Sequence, residues 1–540
     1  MRLCDLPDDV LRLVFRQLLA GRPGLYGFKG ALPLAWTCRR WRCIALPMVH
    51  STAHVQCSGA AAAGTLGLAA AAGCAQMVRA VTVDVGPSAD PLPALGAAAE
   101  LMAELAAGAW RGVRSLKISV RPRPTAPAAR SPGIYDDDGD DGSEAQRITD
   151  ALAAAMPGVR RLEFGQALAG AAGRAVGGRL AACYAEQLQR LRSAGPLAVP
   201  DGAAFAQLCD VRLCHDAGCG PQLPRMAPAA LTRLVLTTRM PGHLWAAFDV
   251  DGSGAVRFEC LRVLDLTCLS CYSRPDPAPR RDECARRLHF PALERMTVRC
   301  TEDACPVLRH AVLPPRMDAI FVELTADALH SAAGVALPPA RSLALTVKCG
   351  SEPRPAAMLA AVRMLEGARE SGSVDLIVAD PTIPVAPEVA ACASLTRLAV
   401  EAATGADAVL GLIHSLPRLV SLGFWRVSLA GTRADISLPD PQRPVVPFAA
   451  KIKTLSINIH HTEERRDLLV PLLMHLLLRS PALARLVAIH APRKPVVDLV
   501  AAHGVDLVRA RKMAYLMILR TVSQGMKPLV LQHMNQPELA

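Results

Sequence analysis

The residues with the clearest chemical spacing run from Asp249 to Cys260. Asp249, Asp251, Ser253, Gly254 and Val256 fill positions one, three, five, six and eight of a twelve-residue calcium loop. Position twelve needs a bidentate Glu and holds Cys260, while position nine places the cation Arg257 beside the ion. The run therefore reads as a turn leading into a strand at Leu261. Cys268 and Cys271 have the close spacing of a zinc pair, but Cys284, Cys300 and Cys305 fall on other elements. Cys209, Cys214, His215 and Cys219 make a second loose set, and buried free thiols account for both groups. The Gly-rich stretch 165–178 has neither dinucleotide nor P-loop spacing. No Gly-x-Ser-x-Gly or His-Glu-x-x-His occurs, and His414, His460, His461 and His475 stand apart from any nucleophile. We expect no enzyme, no metal and no cofactor. The chemistry left is recognition.

One recognition pattern stands out, and it depends on a repeat. An apolar residue, two others, an apolar residue, one other and a third apolar residue recur along the chain. Examples are Val159/Leu162/Phe164, Leu208/Val211/Leu213, Leu231/Leu234/Leu236, Leu261/Leu264/Leu266 and Leu293/Met296/Val298. Further copies are Ala340/Leu343/Leu345, Leu395/Leu398/Val400, Leu419/Leu422/Phe424, Ile452/Leu455/Ile457 and Leu483/Leu486/Ile489, with weaker ones from Met317 and Ser373. Each reads as a short strand with alternate residues on one face. A proline stands two residues before the first apolar position at Pro157, Pro291, Pro338, Pro417 and Pro481, where it punctuates a turn. Arg precedes the second apolar position at Arg161, Arg233, Arg295, Arg397 and Arg485. If the units stack in register, these arginines form a column on the sheet, with Trp425 on the same face. Such a strip would suit an acidic or phosphorylated partner.

These units resemble leucine-rich repeats in an irregular form. The resemblance implies an α/β fold whose stacked strands make a curved parallel sheet. An ordinary α/β domain with scattered strands is the alternative. The array is placed at 77–500, starting with a strand over 77–85 and a helix over 94–110. It follows an Ala/Gly-rich linker at 51–76. A Pro-rich, then acidic, insertion at 121–145 reads as disordered. Residues 501–540 read as a C-terminal cap or tail with helical stretches.

The first fifty residues are different. Leu6-Pro7-Asp8-Asp9-Val10-Leu11-Arg12-Leu13-Val14-Phe15-Arg16-Gln17-Leu18 predicts a helix begun by Pro7, with Asp8 and Asp9 at the positive end of its dipole. Val10, Val14 and Leu18 fall on one line, with Leu11 and Phe15 beside them. A second helical run holds Leu34, Cys38, Arg39, Arg40, Trp41, Ile44 and Ala45. About fifty residues rarely sustain a core alone. At these positions the stretch 1–50 resembles an F-box. The departures are a long gap over 20–31 and Met48-Val49-His50 in place of the usual Leu-Trp. The resemblance implies docking on a Skp-family adaptor, and through it a cullin, by Leu6, Pro7, Val10, Leu11, Val14, Phe15 and Trp41. Together with the repeats it implies the substrate-recognition subunit of a cullin-based (SCF-type) ubiquitin ligase, as in fungal F-box/leucine-rich-repeat proteins.

The chain has 540 residues, is 51% hydrophobic and only 4% aromatic, so its core must be aliphatic. Its net charge is +12, carried almost wholly by arginine, with eight lysines. General Ala, Gly, Pro and Arg enrichment accounts for that balance, so nucleic acid is not expected as a partner. Few aromatics argue against base stacking. No run of about 18 apolar residues predicts a membrane span. With no secretory signal in view and free thiols, the expected setting is cytoplasmic, nuclear or both. The other function classes are a repeat scaffold without a ubiquitin role and a basic nucleic-acid binder.

Overall fold

The computed structural model describes residues 6–20, 38–49, 51–58, 61–64, 75–86, 92–105, 110–120, 141–165, 171–195, 197–200, 203–215, 229–238, 256–268, 288–300, 306–332, 334–349, 356–380, 382–383, 385, 387–428, 452–458, 476–477, 479–489 and 506–510. The chain divides into two compact units. Unit 1 is Met1–Arg239 with Ala246–Leu261, and unit 2 is Met240–Trp245 with Arg262–Ala540.

Unit 1 opens with two helices, α1 (Asp8–Ala20) and α2 (Arg39–Val49). A sheet follows in the spatial order β2-β1-β3-β4-β5-β6-β7-β8. Its strands are β1 (Thr52–Ser58), β2 (Ala61–Gly64), β3 (Ala80–Val85), β4 (Ser115–Val120), β5 (Arg161–Phe164), β6 (Arg190–Ser193), β7 (Asp210–His215) and β8 (Arg233–Thr238). Only β1–β2 is antiparallel; every other pairing is parallel. Parallel strands need long crossovers, and helices supply three of them: α3 (Leu92–Leu105), α4 (Asp141–Ala155) and α5 (Ala171–Cys183).

Alternation decides which face is buried. Leu116, Ile118, Leu162, Phe164, Leu191, Val211, Leu213, Leu234 and Leu236 are all nearly inaccessible. The residues between them stay half-buried or exposed, so one face of the sheet is open. Burying each inner Leu contributes roughly 1.5–3 kcal/mol. The helices behind use Leu95, Met102, Ile148, Leu152, Val176 and Leu180 for the other half of this core. Alanine and glycine let the layers close. A Cβ at Gly178 in α5 would overlap the Ala198 carbonyl, with Val199 N at 2.8 Å.

The starts of the strands repeat in their backbone bonding. The amides of Arg114 and Ser115 both donate to the Arg79 carbonyl, at 2.7 and 3.0 Å. Arg160 and Arg161 do the same to Arg114, Gln189 and Arg190 to Arg160, Cys209 and Asp210 to Gln189, and Thr232 and Arg233 to Cys209. Two arginines reinforce this seam. Arg79 Nη1 donates to the carbonyls of Gln76 (2.8 Å) and Gly112 (3.4 Å), and Arg114 Nη1 to those of Arg111 (3.4 Å) and Gly158 (3.0 Å). Both glycines leave room for the guanidinium, since a Cβ on either would overlap it.

The main sheet of unit 2 has ten described parallel strands paired in chain order, β9 (Val263–Cys268), β10 (Arg295–Cys300), β11 (Met317–Thr325), β12 (Ala340–Lys348), β13 (Ser373–Ala379), β14 (Arg397–Gly405), β15 (Ser421–Ser428), β16 (Thr454–Asn458), β17 (Arg485–Ile489) and β18 (Asp506–Ala510), and a short parallel pair, Leu288–His289 with Ala311–Val312, stands apart from it. Described helices between them include α6 (Pro306–His310), α7 (Ala326–Ser331), α8 (Ala356–Leu365) and α9 (Ala406–Ser415). The paired amide donations recur here, from Glu294 and Arg295 to Arg262 and from Ala484 and Arg485 to Lys453. Three of the punctuating prolines sit second in a turn closed by an i→i+3 bond: Leu293 N to Phe290 O, Leu419 N to Leu416 O and Leu483 N to Ser480 O.

Several expected boundaries move. The sheet begins inside the stretch read as linker, because Ala53, Val55 and Cys57 alternate inward along β1. The first array strand starts at Ala80 and the helix after it spans Leu92–Leu105 rather than 94–110. The end of the acidic insertion is helical: α4 starts at Asp141 and buries Ala145. Residues 121–140 lie outside the described residues. The sheet also runs past 500, since β18 pairs with β17 where a helical tail was expected. Its Asp506-Leu-Val-Arg-Ala510 is too short to show periodicity, and the ladder of β17 supplies what it needs. No described helix is long and apolar enough to cross a membrane.

Candidate functional site

Two places in unit 1 carry candidate recognition chemistry. The first is the helical pair. Leu11, Phe15, Trp41, Ile44 and Ala45 form its core, with Leu6, Val14 and Cys38 packed against it. Phe15 and Trp41 meet edge-to-face with centroids 5.1 Å apart, the arrangement their quadrupoles favour. The buried seam of α1 is thus Leu11–Phe15. The expected Val10–Val14–Leu18 line does not face inward at its start: Val10 is 38% exposed, and Leu13 is 58% exposed. The side chain of Leu18 lies outside the described residues.

The seven residues expected to meet an adaptor separate accordingly. Leu11, Phe15 and Trp41 are the pair's own core, Leu6 and Val14 are half-buried, and Pro7 and Val10 face outward. Leu13 was missed because it sits off the apolar line. Between Arg12 and Val14, an exposed Leu carries no periodic signal. Arg40 was missed too. Its Nε and Nη2 donate to Asp8 Oδ1 at 2.8 and 2.6 Å, and Nη2 also donates to the Leu6 carbonyl at 2.7 Å. That clamp fixes the start of α1 against α2. The pair is exposed, so its contribution to stability is small and mainly positional.

The second place is the open sheet face. The register keeps the expected arginine column in pieces rather than as one row. In unit 1 the row reads Ser115, Arg161, Arg190, Asp210, Arg233, so Arg161 and Arg233 share it with a carboxylate between. In unit 2 Arg295 aligns with Ala319, Ser342 and Ser373. Arg397 aligns with Asp375, two residues further along, and then with Ser421, Thr454 and Arg485. A shift of two keeps Leu398 on the buried face, so packing allows it while the arginine rows separate. Arg161, Arg233, Arg295 and Arg485 are exposed, and Arg397 is half-buried. Trp425 lies in β15, but its side chain is outside the described residues.

Asp249–Ala255 of the calcium-like loop lies outside the described residues, and so do Cys271, Cys284, Cys305 and Cys219. Arg257 pairs with Glu259. Among the described residues, no group of three His, Cys, Asp or Glu could hold a metal ion. Cys57 and Cys392 are buried, and burial first, then nearby acid groups, pushes both thiols up to about 11. Nothing there is a nucleophile at neutral pH. Compared with known proteins, the chain matches no family model and no curated sequence at a significant level.

Proposed function

We propose that this chain is the substrate-recognition subunit of a cullin-based ubiquitin ligase. The helical pair docks on a Skp-family adaptor, and the open sheet faces hold a target protein. The observation that supports this most is the division within α1. Leu11 and Phe15 close a small core with Trp41, while Pro7, Val10 and Leu13 remain outside it on so short a module. Apolar side chains left on a two-helix module need a partner surface. Leu6 and Val14 bridge the core and that surface. The mechanism is positional. Holding target and adaptor together raises the effective concentration of an acceptor lysine near the ubiquitin-loaded partner. The repeats, read as an irregular leucine-rich solenoid, supply the target surface through Arg161, Arg233, Arg295, Arg397, Arg485 and Trp425.

The test is capture of the Skp-family adaptor and cullin by the intact chain, by a Leu6→Ala/Pro7→Ala variant and by a Val10→Arg/Leu13→Arg variant. The intact chain should capture both proteins, and each variant should lose them with its thermal midpoint unchanged. Failure of the intact chain to capture the adaptor would end the reading.

A further inference from the structure

Four guanidinium groups from three neighbouring strands converge on the open face of unit 1 around one carboxylate. Arg190, Asp210 and Arg233 form one row across β6, β7 and β8, and Arg192 and Arg212 form the next row on β6 and β7. Asp210 is the organiser. Its side chain is 9% exposed, and its Oδ2 stands 2.8 Å from Arg190 Nε and 3.5 Å from an Arg192 terminal nitrogen. That engages two of the four cations. Among the described residues Arg212 and Arg233 make no ion pair, and the Nε atoms of Arg192 and Arg212 are buried without a hydrogen-bond partner. Burial first, then Arg233, Arg192 and Arg190, holds the Arg212 guanidinium below its ordinary value, with Asp210 opposing. The cluster is therefore under like-charge repulsion as it stands, with more guanidinium groups than the one carboxylate engages. Adjacent strands are about 4.8 Å apart, so one compact anion can reach arginines on all three. A guanidinium fork matches phosphate oxygens in bidentate geometry. Glu163, the nearest other acid on this face in the register, is engaged by Lys117 at 2.6 Å. Val235 and Thr237 complete the face on β8, and neither stacks on a base, so the fit is to a phosphate rather than to a nucleic acid.

We propose that Arg192, Arg212 and Arg233, ordered by Asp210 and Arg190, form a binding site for a phosphate monoester dianion. This rests on reading the open face as a recognition surface, and not on adaptor docking. The site takes one phosphate group, presented by a phosphoserine or phosphothreonine or by a free polyphosphorylated molecule.

The experiment uses the full chain. Thermal midpoint and calorimetric titration are followed with inorganic phosphate, with acetyl-phosphoserine amide and with inositol hexakisphosphate, against sodium chloride at equal ionic strength. Phosphate should raise the midpoint where chloride does not. Arg212→Gln/Arg233→Gln should weaken every phosphate ligand roughly tenfold or more. Arg363→Gln, exposed on α8 of unit 2, should change nothing. The unliganded double variant should melt no lower than the parent, because it relieves repulsion. Tighter binding of the phosphoserine amide assigns a protein partner, and tighter binding of inositol hexakisphosphate assigns a free ligand. No binding, or equal loss in the Arg363→Gln control, overturns the site. Adaptor capture by the double variant is measured in parallel. If phosphate binds while the parent chain captures no adaptor, only the ligase reading fails.

Discussion

At the scale of single residues, burial separates side chains that look alike in the sequence. Leu11 and Leu13 are two positions apart, yet one is fully buried and the other is 58% exposed. Phe15→Ala removes the ring that meets Trp41 and should cost about 3–5 kcal/mol. Amide exchange should show protection lost in α1 and α2 and retained in the strands. The buried thiols make a second case. For Cys57 and Cys392 the folded value of about 11 lies above the ordinary thiol value of 9.0. The folded state holds those protons more tightly, so their contribution is fully present below pH 9 and is lost as pH rises toward 11. Iodoacetamide at pH 8 should modify exposed Cys43 and Cys260 and spare Cys57 and Cys392 until the protein unfolds, which peptide mapping reads directly. Asp375 runs the same way at lower pH. Burial raises its carboxyl above 3.8 against Arg397 and Thr396, so ionising it with rising pH costs stability.

Among the elements, strands were more legible than their surroundings. The three-apolar pattern located β5, β7, β8 and most of unit 2, because each inner position is a separate hydrophobic choice. It passed over β6, where Leu188 and Leu191 fit but Ser193 takes the third inward place. β1 hid in an alanine-rich stretch, where small side chains carry little periodic contrast. The arginine column holds only in pieces for another reason. Periodicity tells which face a residue takes, but cross-strand register depends on loop lengths, which a pattern does not contain. The glycines give a graded test. Gly178→Ala should destabilise most, since its Cβ meets the backbone at Ala198 and Val199. Gly158→Ala should cost less, because it displaces the flexible end of Arg114. Gly411→Ala, at an exposed position of α9, meets nothing and should add about 0.5–1 kcal/mol. Urea midpoints of the three variants check the order.

For the whole molecule, each strand pairs with its immediate neighbours, so damage should stay local. Leu162→Ala in β5 should cost about 2–5 kcal/mol, with exchange protection falling in β4 and β6 and unchanged in β13. Uniform loss of protection across both units would contradict this. The paired amide donations at the strand starts have one more consequence. Their acceptors include the carbonyls of Ser51, Arg79, Gln189, Cys209, Glu294, Thr396 and Val420, which share no side-chain type. The joint between successive units is mostly main chain, reinforced at some seams by side chains such as Arg79, Arg114 and Thr396. Most of its residues can therefore change under mutation, and a unit can be duplicated or deleted with little redesign of its neighbours. A lineage built this way changes length by whole repeats and loses sequence likeness long before it loses its architecture.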